Sequence, residues 1–156
     1  MHTMLTFLSR TSLLGVVALS SAASLAQWSN ATDPHNVAHQ RAVEAYENQQ
    51  YALALHNFES LMAAATSESS DAYVEANHYA AMSSLALYHR DAVYRVESFV
   101  EKFPESPLAL EARWELANYH YKRKNYSTAA EEFNKIRVRE LDRPRRDEYR
   151  FKLGHC

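Results

Sequence analysis

Residues Trp114 to Ile136, WELANYHYKRKNYSTAAEEFNKI, decide how this chain folds. They read as two helices joined by a tight turn. Leu116, Ala117 and Tyr121 mark the first helix at i, i+1 and i+5. Tyr126, Ala129, Phe133 and Ile136 mark the second at i, i+3, i+7 and i+10, an apolar stripe at helical spacing. Lys122 to Asn125 between them is polar and turn-like. Two amphipathic helices with so short a connection make an antiparallel pair. Small Ala117 and Ala129 let the two backbones approach where they cross, and Phe133 fills the space beside them.

The pattern recurs. Ala117 has counterparts in Ala42, Ala80 and Gly154, at spacings of 38, 37 and 37. Ala129 has counterparts in Ala54 and Ala92, spaced 38 and 37. The bulky position after it gives Phe58, Val96 and Phe133, and the next gives Leu61, Phe99 and Ile136, at the same intervals. Four classes of position share one period, so the chain is read as an array of helix pairs.

Helices are expected at about Pro34 to Asn48, Tyr51 to Ala65, Asp71 to Tyr88, Arg90 to Lys102, Leu108 to Lys124 and Tyr126 to Arg137. A seventh starts at Pro144, with Tyr149, Phe151, Leu153 and Gly154 visible. Asp33-Pro34 and Ser106-Pro107 each suit a helix start, with a capping side chain followed by proline at the first helical position. All four prolines fall at expected junctions. The sequence stops in mid-repeat, which is read as the N-terminal piece of a longer protein or a truncated product. In the alternative reading the last helix is itself a polar cap.

The stretch and its recurrence resemble a tetratricopeptide repeat (TPR) array, whose usual period is about 34 residues. Phe99-Val100-Glu101-Lys102-Phe103-Pro104-Glu105-Ser106-Pro107, followed by an Ala-rich helix, is similar to the repeats of bacterial envelope proteins. These include the outer-membrane assembly TPR lipoprotein and the Tol–Pal coordinator. The resemblance implies an all-α, right-handed α-solenoid of antiparallel helix pairs. It implies about three repeats, 34–66, 71–104 and 107–140, plus a partial fourth at 144–156. It implies a concave groove lined by the first helix of each pair. Carried over by position, that groove holds His39, Val43 and Tyr46, then Asn77, Ala81 and Ser84, then Trp114, Asn118, Tyr121 and Lys122, with Phe151 beyond. Aromatic and amide groups together suit an extended peptide. The alternative reading packs Trp114 and Tyr121 between neighbouring first helices.

Met1 to Ala26 reads as a secretory signal. Arg10 precedes an apolar run from Leu13 to Leu19, and Ser24-Leu25-Ala26 resembles a cleavage site. The run is short for a membrane span, and an uncleaved anchor is the alternative. Residues 27–33 form a short polar linker before the repeat domain at 34–156. The expected location is periplasmic or secreted. No Cys follows the signal where a lipid anchor would attach, and Cys156 is the single cysteine, so no internal disulfide forms. Gly15 and Gly154 are the two glycines, which argues against phosphate-cradling loops and dinucleotide fingerprints.

No nucleophile, paired carboxylates or metal set stands out, and the chain is read as non-catalytic, with no cofactor and no metal. His35 and His39 have a zinc-compatible i, i+4 spacing but no third ligand. Charge is divided. Gln27 to Tyr121 has 5 basic and 13 acidic residues, whereas Lys122 to Cys156 has 11 basic and 6 acidic. The basic end is read as a solvated face, with an acidic partner, a phosphate or the acidic half of another copy as the alternatives. Nucleic acid is not an expected partner, since the segment after the signal is net acidic. The expected role is an envelope scaffold that holds a protein or peptide segment in its groove. The second reading is a self-associating structural segment of a longer repeat protein.

Overall fold

The computed structural model describes residues 34–156; the expected signal, the linker and the Asp33 cap lie outside the described residues. Among these, the chain forms seven α-helices, one 3-10 turn and no strand. The helices are α1 Pro34–Glu47, α2 Tyr51–Ala64, α3 Asp71–Ala86, α4 Ala92–Lys102, α5 Pro107–Lys122, α6 Tyr126–Asn134 and α7 Arg143–His155. The 3-10 turn, Val138–Glu140, precedes α7. The fold is all-α, and its consecutive helix pairs agree with an α-solenoid.

One turn geometry closes all three pairs. After α1, the Gln49 N–H donates to the Tyr46 carbonyl at 2.9 Å and the Gln50 N–H to that of Ala45 at 2.8 Å. After α3, Tyr88 and His89 donate to Leu85 and Ser84, and after α5, Lys124 and Asn125 donate to Tyr121 and His120. These crossed bonds satisfy carbonyls that a helix end leaves without partners. The geometry needs one residue in the left-handed region. Gln49, Tyr88 and Lys124 take it, with φ of 59°, 56° and 62°. Glycine is the usual choice there, and each other residue costs about 1 kcal/mol.

This turn also corrects the expected ends. The third helix stops at Ala86 and the fifth at Lys122, because Tyr88 and Lys124 reverse φ. The sixth ends at Asn134, since Arg137 is already extended with ψ 96°. Helix starts follow their caps. Ser70 accepts from the Tyr73 N–H and Ser106 from the Leu108 N–H, with Pro107 at the first position of α5. The seventh starts one residue earlier than expected: Asp142 is its cap, accepting from the Arg145 N–H at 2.9 Å.

The recurrent small residues are where the helices meet. Ala42, Ala80 and Ala117 are fully or almost fully buried, and Ala54, Ala92 and Ala129 are fully buried, as are Phe58, Val96 and Phe133. Three apolar clusters form. The first joins α1, α2 and α3 around Phe58 and Ala80. The second joins α3, α4 and α5 around Leu85, Val96 and Ala112. The third joins α5, α6 and α7 around Trp114, Phe133 and Tyr149. Each pair therefore shares its interior with the first helix of the next. Gly154 stands apart: a Cβ there would meet nothing within 4 Å.

Polar contacts repeat at nearly the same interval. His39 faces Glu75 at 3.3 Å, Arg95 pairs with Glu59 at 2.7 Å, and Lys102 with Glu68 at 2.7 Å. Arg145 makes two bonds to Glu111, at 2.6 and 3.1 Å. Each joins residues 34 to 36 apart and so ties neighbouring pairs together. Exposed pairs of this kind add little stability and serve mainly to hold register.

Two substitutions test this packing by denaturant unfolding. Ala92→Leu should lower stability by about 1–3 kcal/mol through overpacking, while Ala52→Leu on exposed α2 surface should change it little. Lys124→Gly should raise stability by about 0.5–1 kcal/mol by relieving the left-handed turn.

Candidate functional site

A cleft of about 200 Å³ lies where the last turns of α1, α3 and α5 come together. Tyr46 of α1, Tyr51 at the start of α2, Tyr88 of the second turn and Tyr119 of α5 supply four rings. Met82 and Leu85 of α3 supply apolar surface, and Glu115 and Lys122 of α5 supply charge. The array folds this way because the three first helices run in the same direction, so their C-terminal turns converge.

The rings form two sets. Tyr46 meets Tyr51 edge-on at 5.5 Å and Tyr79 at 4.9 Å. Tyr79 stacks on Phe58 at 5.2 Å, at 13° between planes. Such contacts fix ring orientation and are worth about 0.5–1.5 kcal/mol each beyond burial. Tyr88 and Tyr119 lie 5.8 Å apart, with the Arg123 guanidinium over both. Burial pushes the Tyr46 hydroxyl up to about 12, with Tyr51, Glu115 and Glu111 adding to the effect. Burial also raises the Tyr79 hydroxyl, and Glu75, Glu47 and Glu111 raise it further. Burial raises the Glu115 carboxyl, while Lys122 acts in the opposite sense.

The residues expected in the groove divide into two sets. Tyr46 and Lys122 are brought together in the cleft. Ala81, Ser84, Trp114 and Asn118 are buried, a correction to their expected place on an open surface. Ala81 belongs to the second core cluster. Trp114 packs edge-on against Phe133 at 5.7 Å, below the Arg145 and Lys152 cations. Asn118 accepts a hydrogen bond from the Lys152 ammonium. Helix α7 thus covers this part of α5, because its basic residues match the polar stripe on that face. Tyr121 is half-buried and bonded to His155 Nδ1 at 3.2 Å. Val43 packs against the first cluster, His39 turns to Glu75, Asn77 is half-buried, and Phe151 is 70 % exposed.

Reading the sequence missed Tyr51, Met82, Leu85, Tyr88, Glu115 and Tyr119. Tyr51 and Tyr88 belong to turns and a second-helix start, outside any pattern of first-helix groove positions. A signal did exist for Glu115. It follows Glu111 by four residues, which places both carboxylates on one helix face.

Among the described residues, no group of three or more His, Cys, Asp or Glu side chains is arranged to hold a metal. Also among them, no helix is long and apolar enough to cross a membrane. Much of the basic end is engaged: Arg145 with Glu111, Arg137 with Glu140, and Arg123 on two tyrosine rings. Comparison with family models, curated proteins and solved structures returns no match.

His78 of α3 is 4 % exposed, between the rings of Tyr79 at 5.3 Å and Phe99 at 5.4 Å. Neither ring nitrogen has a hydrogen-bond partner. Burial holds its pKa down at about 4, with Glu111 acting weakly the other way. The unfolded chain protonates this residue at about 6.5. Between these values the unfolded state binds more protons than the folded state, so stability falls as the pH falls. The stability is complete above about pH 6.5, and the loss approaches about 3 kcal/mol near pH 4. Unfolding measured from pH 7 to 4 should show this slope, and His78→Leu should flatten it relative to the parent chain. An unchanged slope in His78→Leu would place the titration elsewhere.

Proposed function

We propose that this chain is a non-catalytic interaction scaffold of the TPR type that binds a segment of a partner protein along its first-helix face. The carrying observation is the cleft itself. It joins four tyrosine rings, two apolar side chains and both signs of charge on the ends of three packed helices. Rigid rings on a preformed surface bind with little loss of side-chain freedom, and tyrosine is enriched where proteins bind one another. The 37–38 residue period supports a right-handed array of about three repeats with the start of a fourth. The Met1 to Ala26 segment and the Phe99 to Pro107 motif support a place in the cell envelope, in the periplasm or outside the cell.

The test is selection of a random peptide library on the full chain, with the cleft blocked in a parallel selection. Ala86 is an exposed member of the wall, so Ala86→Trp fills the space without disturbing the core. Selected peptides should bind the parent chain and lose at least about tenfold in affinity to Ala86→Trp, a difference of about 1.4 kcal/mol. Thermal unfolding should be unchanged. Peptides that bind both chains equally would move the binding surface away from this cleft.

A further inference from the structure

We infer that the cleft is built for a cationic side chain, so that the partner segment presents an arginine or lysine to Tyr46, Tyr51, Tyr119 and Glu115. The inference rests on the peptide-binding reading above and names the chemistry of the segment.

Three observations converge on it. The first concerns helix ends. The cleft lies on the last turns of α1, α3 and α5, and each C-terminus carries a partial negative charge. Such ends ordinarily attract basic side chains from their own last turn. Neither α1 nor α3 has one, and α1 ends on Glu47. Only α5 is compensated, by His120 and Lys122.

The second is the state of Glu115. Its carboxylate lines the cleft and has no hydrogen bond or ion pair among the described residues. Its neighbour Glu111 is already held by Arg145 through two bonds. A half-buried carboxylate without donors is costly, and an incoming ammonium or guanidinium meets that need with a charge-assisted bond. Glu47, Glu75 and Glu111 lie near enough to act on the hydroxyl of Tyr79, which packs on Tyr46, while Lys122, Arg145 and Lys152 act on Glu115 in the opposite sense. The 27–121 segment is net acidic, with 13 acidic against 5 basic residues.

The third is a cation already resident next door. Arg123 sits over the Tyr88 and Tyr119 rings at 5.8 and 5.4 Å. The aromatic wall therefore takes a guanidinium in the fold itself. Among the described residues no cation lies over the rings of Tyr46 and Tyr51, which line the rest of the cleft. Lys122 is the nearest counter-force: it lies on the same wall, is exposed, and acts on Glu115 more strongly than Arg145 or Lys152 do.

That opposition gives a signed test. N-acetyl-argininamide, N-acetyl-norleucinamide and N-acetyl-glutamamide carrying a free side-chain carboxylate are titrated into the full chain and followed by amide and tyrosine-ring NMR shifts. The arginine probe should bind weakly and saturably at the cleft, more tightly than norleucine, with the acidic probe weakest. Glu115→Gln should weaken arginine binding about fivefold or more. Lys122→Ala should tighten it about twofold or more, a direction that loss of a general contact surface does not produce. Raising the salt concentration should weaken it. Equal binding of the norleucine probe, no saturable arginine shift, or indifference to Glu115→Gln would each overturn the inference. Library peptides that depend on the open cleft yet show no excess of Arg or Lys would overturn it too, and leave the peptide-binding reading standing. Absence of any cleft-dependent peptide would remove both.

Discussion

The structure depends on how closely two helices approach at an alanine. Where Ala42, Ala80 and Ala117 lie in first helices, and Ala54, Ala92 and Ala129 in second helices, side chains are small and almost no surface remains. Close approach brings backbones within reach and leaves Phe58, Val96 and Phe133 to fill what is left, all fully buried. Interiors packed to this density tolerate little change of volume. The period of the small residues is therefore the period of the array. Once it is set, the stacking of first helices follows, and with it the convergence of their C-terminal turns.

The turns supply the second constraint. Three connections of the same geometry, each with a left-handed residue that is not glycine, keep every pair tight. Their cost is carried by the core beneath them, in which each cluster spans three helices. The long-range ion pairs, 34 to 36 residues apart, add register between pairs. The cleft stands on these supports. Tyr46 is oriented by ring contacts to Tyr51 and Tyr79, and Tyr79 stacks on Phe58, so this side of the cleft and the core form one aromatic network.

Much of the fold was legible in the sequence because its signal is local and repeated. Alanines at a fixed interval, prolines at junctions and the Ser106-Pro107 start all concern residues whose local geometry has few alternatives. Helix ends were less legible, since a left-handed Tyr88 or Lys124 has no glycine to announce it. The site was legible only in part. Tyr46 and Lys122 follow from helical position, but Trp114 and Asn118 occupy the same face and are covered by α7. Whether a first-helix residue is open or covered depends on the next helix in the stack, which position alone does not reveal. The charge division had a structural use that composition did not show: Glu111 and Asn118 on α5 receive Arg145 and Lys152 from α7.

The account is tested most directly by through-space proton contacts in the full chain, with alanine methyl and aromatic labelling. It predicts contacts between the rings of Phe58 and Tyr79, and between Phe133 and both Trp114 and Tyr149. It also predicts methyl contacts of Ala42 with Ala54 and of Ala117 with Ala129, inside the first and third clusters. Absence of the Phe133 contact to Tyr149 together with the Phe58 contact to Tyr79 would mean that neighbouring pairs do not stack, and would contradict the account.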